Sequence, residues 1–171
     1  MKKGIILLCI LVLLSACVSN SKTVSDLAST TDIDFEKTDL ETEEQFIYPI
    51  DNSVIRTSYG WQRHTLIEGY RFHFGIDIQG TIGTPVKAAK DGIVSNVGND
   101  PIYGLFIVLK HDNDFQTLYA HLSAIKVIKG SNVTQGSIIG EVGNTGYTSG
   151  LHLHFGIFKN GKPVNPLDFL K

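Results

Sequence analysis

Leu151-His152-Leu153-His154-Phe155-Gly156-Ile157-Phe158 is the run whose reading decides the fold. Side chains alternate faces along a strand, so residues two apart point the same way. Leu151, Leu153, Phe155 and Ile157 therefore share one apolar face, suited to a core. His152 and His154 share the other, which Gly156 continues. Taken alone, a His-x-His pair is weak evidence for a metal or catalytic site.

Outward from this run the same alternation recurs in short stretches split by Gly, Asn and Asp, with no helical period. The expected strands are Gly75–Asp77, Pro85–Ala88, Gly92–Val97, Leu105–His111, Gln116–His121, Ser137–Val142 and Leu151–Phe158. His111-Asp112-Asn113-Asp114 reads as a hairpin turn. Val127-Ile128-Lys129-Gly130, Val133-Thr134-Gln135-Gly136 and Ile138-Ile139-Gly140 look like interlocked hairpins. The expectation is a mainly β fold of antiparallel sheets in a barrel-sandwich-like arrangement. A chain of 171 residues suits a single domain with a real core better than two.

Two further stretches carry chemistry. In His73-Phe74-Gly75-Ile76-Asp77 the two polar residues are four apart, so on an extended strand they share a face, with Phe74, Ile76 and Ile78 opposite. An imidazole and a carboxylate are both zinc donors. Taken alone, the pair reads better as an Asp that orients a His. Tyr119-Ala120-His121-Leu122 brings a third histidine to the end of a strand. His111, beside a turn, reads as a supporting or structural residue, and His64, next to Arg63, as solvated.

In this order, His-x-x-x-Asp, Tyr-Ala-His-Leu and Gly-x-His-x-His resemble the lysostaphin-type (LytM-type) zinc metallopeptidases. The resemblance covers nearly all of Ile50 to Lys171. It extends to Ser58-Tyr59-Gly60-Trp61-Gln62-Arg63, Gly83-Thr84-Pro85-Val86-Lys87-Ala88, Asp91-Gly92-Ile93-Val94, Gly143-Asn144-Thr145-Gly146 and Pro163-Val164-Asn165-Pro166-Leu167. It implies one Zn2+ held by His73, Asp77 and His154, with His121 and His152 as catalytic groups that do not bind the metal. Three protein ligands leave a position for water, as in catalytic rather than structural zinc sites. Either His152 or His121 could take the water's proton; His152, on the strand face of His154, is the favoured general base, and His121 would then support the transition state. The implied substrate is a peptide cross-link or stem peptide of bacterial peptidoglycan. A catalytically silent wall-binding activator is the alternative, although all five residues are present. A biotinyl- or lipoyl-type carrier is disfavoured, because Met1 is the chain's one methionine and none flanks a hairpin lysine.

The first residues have a different character. Lys2 and Lys3 precede an apolar run from Ile5 to Leu14, too short to span a bilayer and shaped like a secretory signal. Leu14-Ser15-Ala16-Cys17 looks like a bacterial lipobox. This implies a signal peptide over 1–16, a lipid on Cys17 and an anchor in the cytoplasmic or outer membrane. Residues 17–45 read as an acidic tether. There Asp26, Asp32, Asp34, Glu36, Asp39, Glu41, Glu43 and Glu44 face Lys22 and Lys37. With Cys9 in the signal, the mature chain has no partner for an internal disulfide. The peptidase domain is then 46–171, expected as a monomer. A net charge of −2, without a basic cluster interleaved with aromatics, argues against nucleic acid as a partner.

Overall fold

The computed structural model describes residues 45–63 and 69–171. Cys17, the leader, nearly all of the acidic tether and His64 lie outside the described residues. The chain divides into Met1–Glu41 and Thr42–Lys171, and the described residues all belong to the second unit.

Alternation of apolar and polar residues produces strands nearly throughout. In chain order they are β1 (Ile55–Thr57), β2 (Gly60–Arg63), β3 (Tyr70–His73), β4 (Ile76–Gln79), β5 (Pro85–Lys87) and β6 (Gly92–Asp100). Then come β7 (Gly104–Lys110), β8 (Phe115–Ile125), β9 (Asn132–Val133), β10 (Ile138–Val142), β11 (His152–Lys159) and β12 (Lys162–Val164). A 3-10 turn at Pro166–Asp168, capped by the Asn165 side chain, comes last. The expected hairpin joins β7 to β8, with Asn113 and Asp114 at φ 55° and 57° as a two-residue turn demands. Strands β2 and β3 escape a reading of hydrophobic pattern. They pair as a separate two-stranded sheet whose Trp61 and Tyr70 stay exposed, so neither carries a core-facing alternation.

The barrel-sandwich expectation is overturned. All strand pairings are antiparallel, and the main sheet runs β1-β4-β11-β8-β7-β6-β9, with β1 and β9 at opposite ends and not paired to each other. Closure fails because β8 is shared. Phe115–Ala120 pairs with β11, while Leu122–Ile125 turns to β10, which also carries β5. The sheet branches instead of closing. The Val127–Gly140 run contributes β9 and the start of β10, too little to complete a barrel wall.

One face of this sheet makes the core. Ile76 and Ile78 of β4, Leu153, Phe155 and Ile157 of β11, Tyr119 of β8 and Ile107 and Leu109 of β7 are fully buried. The apolar face anticipated for Leu153, Phe155 and Ile157 is thus the core face. Leu151, just before the strand, is partly exposed. Phe155 lies opposite Tyr119 across the β11–β8 ladder, with ring centroids 5.3 Å apart. This packing lies directly behind the histidine face of β11. Phe155→Ala is expected to cost about 3–5 kcal/mol of stability. Urea unfolding should show this as a lower midpoint with an unchanged slope.

Candidate metal centre

The register of β4 against β11 sets Asp77 opposite His154 and Gln79 opposite His152. Cross-strand partners share a face, so Asp77 and His154 meet side by side. His154 Nδ1 lies 3.0 Å from Asp77 Oδ1. His73 arrives differently. On one extended strand, residues four apart would be about 13 Å apart and could not share an ion. Instead the chain bends at Phe74-Gly75, between β3 and β4, and folds His73 back. Its Nε2 then lies 3.1 Å from Asp77 Oδ1 and 3.0 Å from His154 Nδ1. The bend turns Phe74 outward, away from the buried face of Ile76 and Ile78 on which it was expected. It also needs glycine. A Cβ on Gly75 would sit 2.5 Å from the Phe155 carbonyl oxygen and 2.8 Å from His154 Cε1.

Three donor atoms at mutual distances of 3.0 to 3.1 Å fit a zinc site. Tetrahedral ligands at about 2.0–2.1 Å from zinc stand about 3.3–3.4 Å apart. The protonation pattern agrees. His73 Nδ1–H donates to the Ser58 carbonyl at 3.0 Å, which leaves the Nε2 lone pair for a metal. The Gln62 side-chain amide donates to the same carbonyl at 3.1 Å.

His121 and His152 complete the cluster, with ring centroids 4.9 Å apart, and His121 lies 6.0 Å from His154. Each is oriented by a backbone carbonyl. Nδ1–H of His121 donates to Thr145 O at 2.8 Å, and that of His152 to Gly150 O at 3.0 Å. Both present Nε2 to the groove, and that of His152 is 3.6 Å from Asp77 Oδ1.

His121 does not end its strand, as the sequence suggested, but lies within β8 at φ 61°. Strict alternation would put it on the core face with Tyr119, because Ala120 is the residue opposite His154. The pairing of β7 with β8 shifts register between Leu105 and Ile107, where β8 carries an extra residue. Such a bulge re-aims a side chain, and here it turns His121 into the groove. Thr145 fixes the arrangement. Its hydroxyl accepts from Leu105 N at 2.9 Å and donates to Leu122 O at 2.7 Å, while its carbonyl holds His121.

In the metal-free protein, where the imidazoles can carry the protons that a metal would displace, burial and charge set the protonation. Burial would raise the Asp77 carboxyl, but hydrogen bonds from His154 and His73 hold it far below the usual carboxylate range. Burial opposes charge on His73 too, yet the Asp77 hydrogen bond and charge leave it raised. Burial lowers His154, with Asp77 partly offsetting it. His121 is pulled down by burial to about 4, against the pull of the Thr145 carbonyl.

Sequence reasoning named the five side chains but missed what positions them. The carbonyls of Ser58, Thr145 and Gly150 are backbone groups and leave no trace in residue type. His111 is not in the groove. It is buried beside Phe46, with Nδ1 donating to Asp91 O at 2.6 Å and Nε2 2.8 Å from the Thr117 hydroxyl.

A carboxylate and two imidazoles converge on one point, with two further imidazoles beside them in an open groove, a donor set suited to one zinc ion. The chain belongs to peptidase family M23, whose family model matches residues 71–166. It is 41% identical over 121 residues to the DD-carboxypeptidase/endopeptidase Mpg of Neisseria meningitidis serogroup B, covering 71% of this chain and 28% of that protein. It is 39% identical over 122 residues to the peptidoglycan DD-endopeptidase ShyA of Vibrio cholerae, covering 70% of this chain and 28% of that one. The chain thus spans under a third of the length of these relatives. The catalytic domain of the antimicrobial peptidase lysostaphin from Staphylococcus simulans superposes with a TM-score of 0.63 at 34% identity, covering 69% of this chain and 92% of that one.

The bend at Gly75 and the burial of His121 each predict an outcome. Gly75→Ala forces the bend away from His154 and is expected to weaken zinc binding about tenfold or more, read by chelator competition. The second outcome concerns the metal-free protein. A histidine whose folded pKa lies below its unfolded value costs stability as it is protonated, so His121 lowers stability as pH falls from 6.5 to about 4. Asp77 adds a further loss below its ordinary 3.8. The raised His73 works the other way, contributing stability at low pH that is lost as pH rises through its folded value. The urea midpoint of His121→Asn should therefore vary less between pH 6.5 and 4 than that of the parent.

Proposed function

We propose that the protein is a zinc-dependent endopeptidase that hydrolyses peptide cross-links or stem peptides of bacterial peptidoglycan. The observation that carries the reading is the meeting of His73 Nε2, Asp77 Oδ1 and His154 Nδ1 within 3.1 Å, beside two imidazoles that present free Nε2 atoms to the same groove. The name of the Vibrio relative supports the substrate class.

Zinc held by His73, Asp77 and His154 would supply a Lewis acid and would lower the pKa of a bound water to about 7. The remaining steps belong to the chain. His152 Nε2, 3.6 Å from Asp77 Oδ1, is the nearer base for a proton leaving the attacking water. It then returns that proton to the leaving amine. His121, neutral above about pH 4, sits across the groove with its Nδ1–H fixed on Thr145 O. At neutral pH its Nε2 carries no proton, so it accepts a hydrogen bond in the groove and can hold the attacking water or the leaving amine in place. Gly75 and the Thr145 clamp keep these groups from moving apart. The place of work is the cell envelope, with Cys17 carrying the lipid anchor and the acidic segment giving reach.

The test is incubation of zinc-loaded protein with purified sacculi and mass spectrometry of the released fragments. Cleavage should stop with chelator and return with zinc. His154→Ala should abolish it, and His152→Ala and His121→Ala should each slow it about 10²- to 10⁴-fold. Wall binding without release of fragments, in protein shown to hold zinc, would establish the silent-activator alternative instead.

A further inference from the structure

The groove over the metal centre has a volume of about 340 Å³ and carries a charge pattern that the hydrolysis does not use. Arg56 of β1, Arg63 of β2 and Arg71 of β3 all line it. Among the described residues its one lining carboxylate is Asp77, which belongs to the candidate metal cluster. Elsewhere in the fold two lysines form ion pairs, Lys87 with Asp51 at 2.7 Å and Lys126 with Glu141 at 2.6 Å. Among the described residues no ion pair involves any of the three arginines.

We infer that Arg56, Arg63 and Arg71 form a carboxylate-binding subsite in the wall of the groove, selecting peptides that carry a free carboxylate beside the scissile bond. This deepens the peptidase reading above and rests on it for the nature of the ligand. Three guanidiniums facing one confined groove repel one another unless an anion joins them. Arginine's planar fork binds a carboxylate through two parallel hydrogen bonds, a geometry that lysine cannot offer. Arg71 is the best placed of the three. It lies two residues before His73 on β3, hence on the same face and about 7 Å along the strand. Gln62 lies opposite it in register. On these strands Phe72 packs against Trp61 at 5.5 Å, Tyr59 at 5.1 Å and Phe74 at 5.0 Å. The cations are therefore presented on a prebuilt wall, and less ordering is needed on binding. Peptidoglycan stem peptides carry free carboxylates on their acidic residues and at their ends, and amidation of these carboxylates removes the charge.

The experiment compares two synthetic cross-linked stem-peptide dimers, one with free carboxylates and one with those carboxylates amidated, on the zinc-loaded full chain. The acidic dimer should have a kcat/KM at least about tenfold higher, expressed mainly in KM, and about 0.5 M salt should shrink the preference. In the Arg56→Gln, Arg63→Gln, Arg71→Gln triple variant the ratio should approach one. Arg71→Gln alone should lower it several-fold, and Arg71→Lys should restore part. A parent ratio near one, or a ratio that survives in the triple variant, overturns the subsite. The three side chains are exposed, so melting midpoints should stay close to the parent's. Should the triple variant fail to fold, the Arg71 single variants decide in the same way. Binding of both dimers is also followed by NMR titration, which needs no turnover. If the parent cleaves neither dimer, the hydrolase reading fails. The subsite then stands if the parent binds the acidic dimer more tightly and the triple variant does not, and falls if the two bind alike.

Discussion

The antiparallel register of β4 against β11 sets Asp77 beside His154, and the rest of the site is arranged around that contact. A shift by one residue would turn every side chain of one strand to the other face. Asp77 would then point into the core, among Leu153, Phe155 and Ile157. The apolar alternation that buries these three residues is also what locks the register, so packing energy holds the metal geometry in place. Core and site are two faces of one strand pair.

Around that pair the chain departs from regular structure twice, each time where a side chain must be re-aimed. The bend at Gly75 folds His73 back over Asp77, and the bulge in β8 turns His121 out of the core face. Both departures are stabilised by backbone hydrogen bonds. Ser58 O receives His73, Thr145 O receives His121 and Gly150 O receives His152. Carbonyls on fixed strands and turns are rigid acceptors. They fix tautomer and ring orientation without adding charge to the site. Charge enters through Asp77, whose two imidazole partners keep it ionised despite its burial.

The groove is electrostatically lopsided. The metal end holds a carboxylate shared among histidines, while the β1–β3 wall carries three arginines without ion-pair partners among the described residues. The hairpin that supplies two of them contributes little to the core, and its aromatic residues pack on one another. Substrate preference can therefore vary on this hairpin without disturbing the register on which the metal depends.

By itself the sequence determined the β class, most of the strands, the core face of β11 and the identity of the five polar residues. Period-two alternation records which face is buried, and residue type records which groups can bind zinc. It also carried a resemblance that joined residues scattered from His73 to His154. What the tertiary structure decided was how they meet. His73 and Asp77 share a face in an extended reading yet would stand too far apart, and only the bend brings them together. His121 lies on the wrong face by alternation, and only a register shift against β7 corrects it. The open, branching sheet replaces the expected barrel because β8 divides its pairing between β11 and β10. Bends, bulges and strand sharing depend on contacts between distant segments, and those energies are not written in the local order of residues.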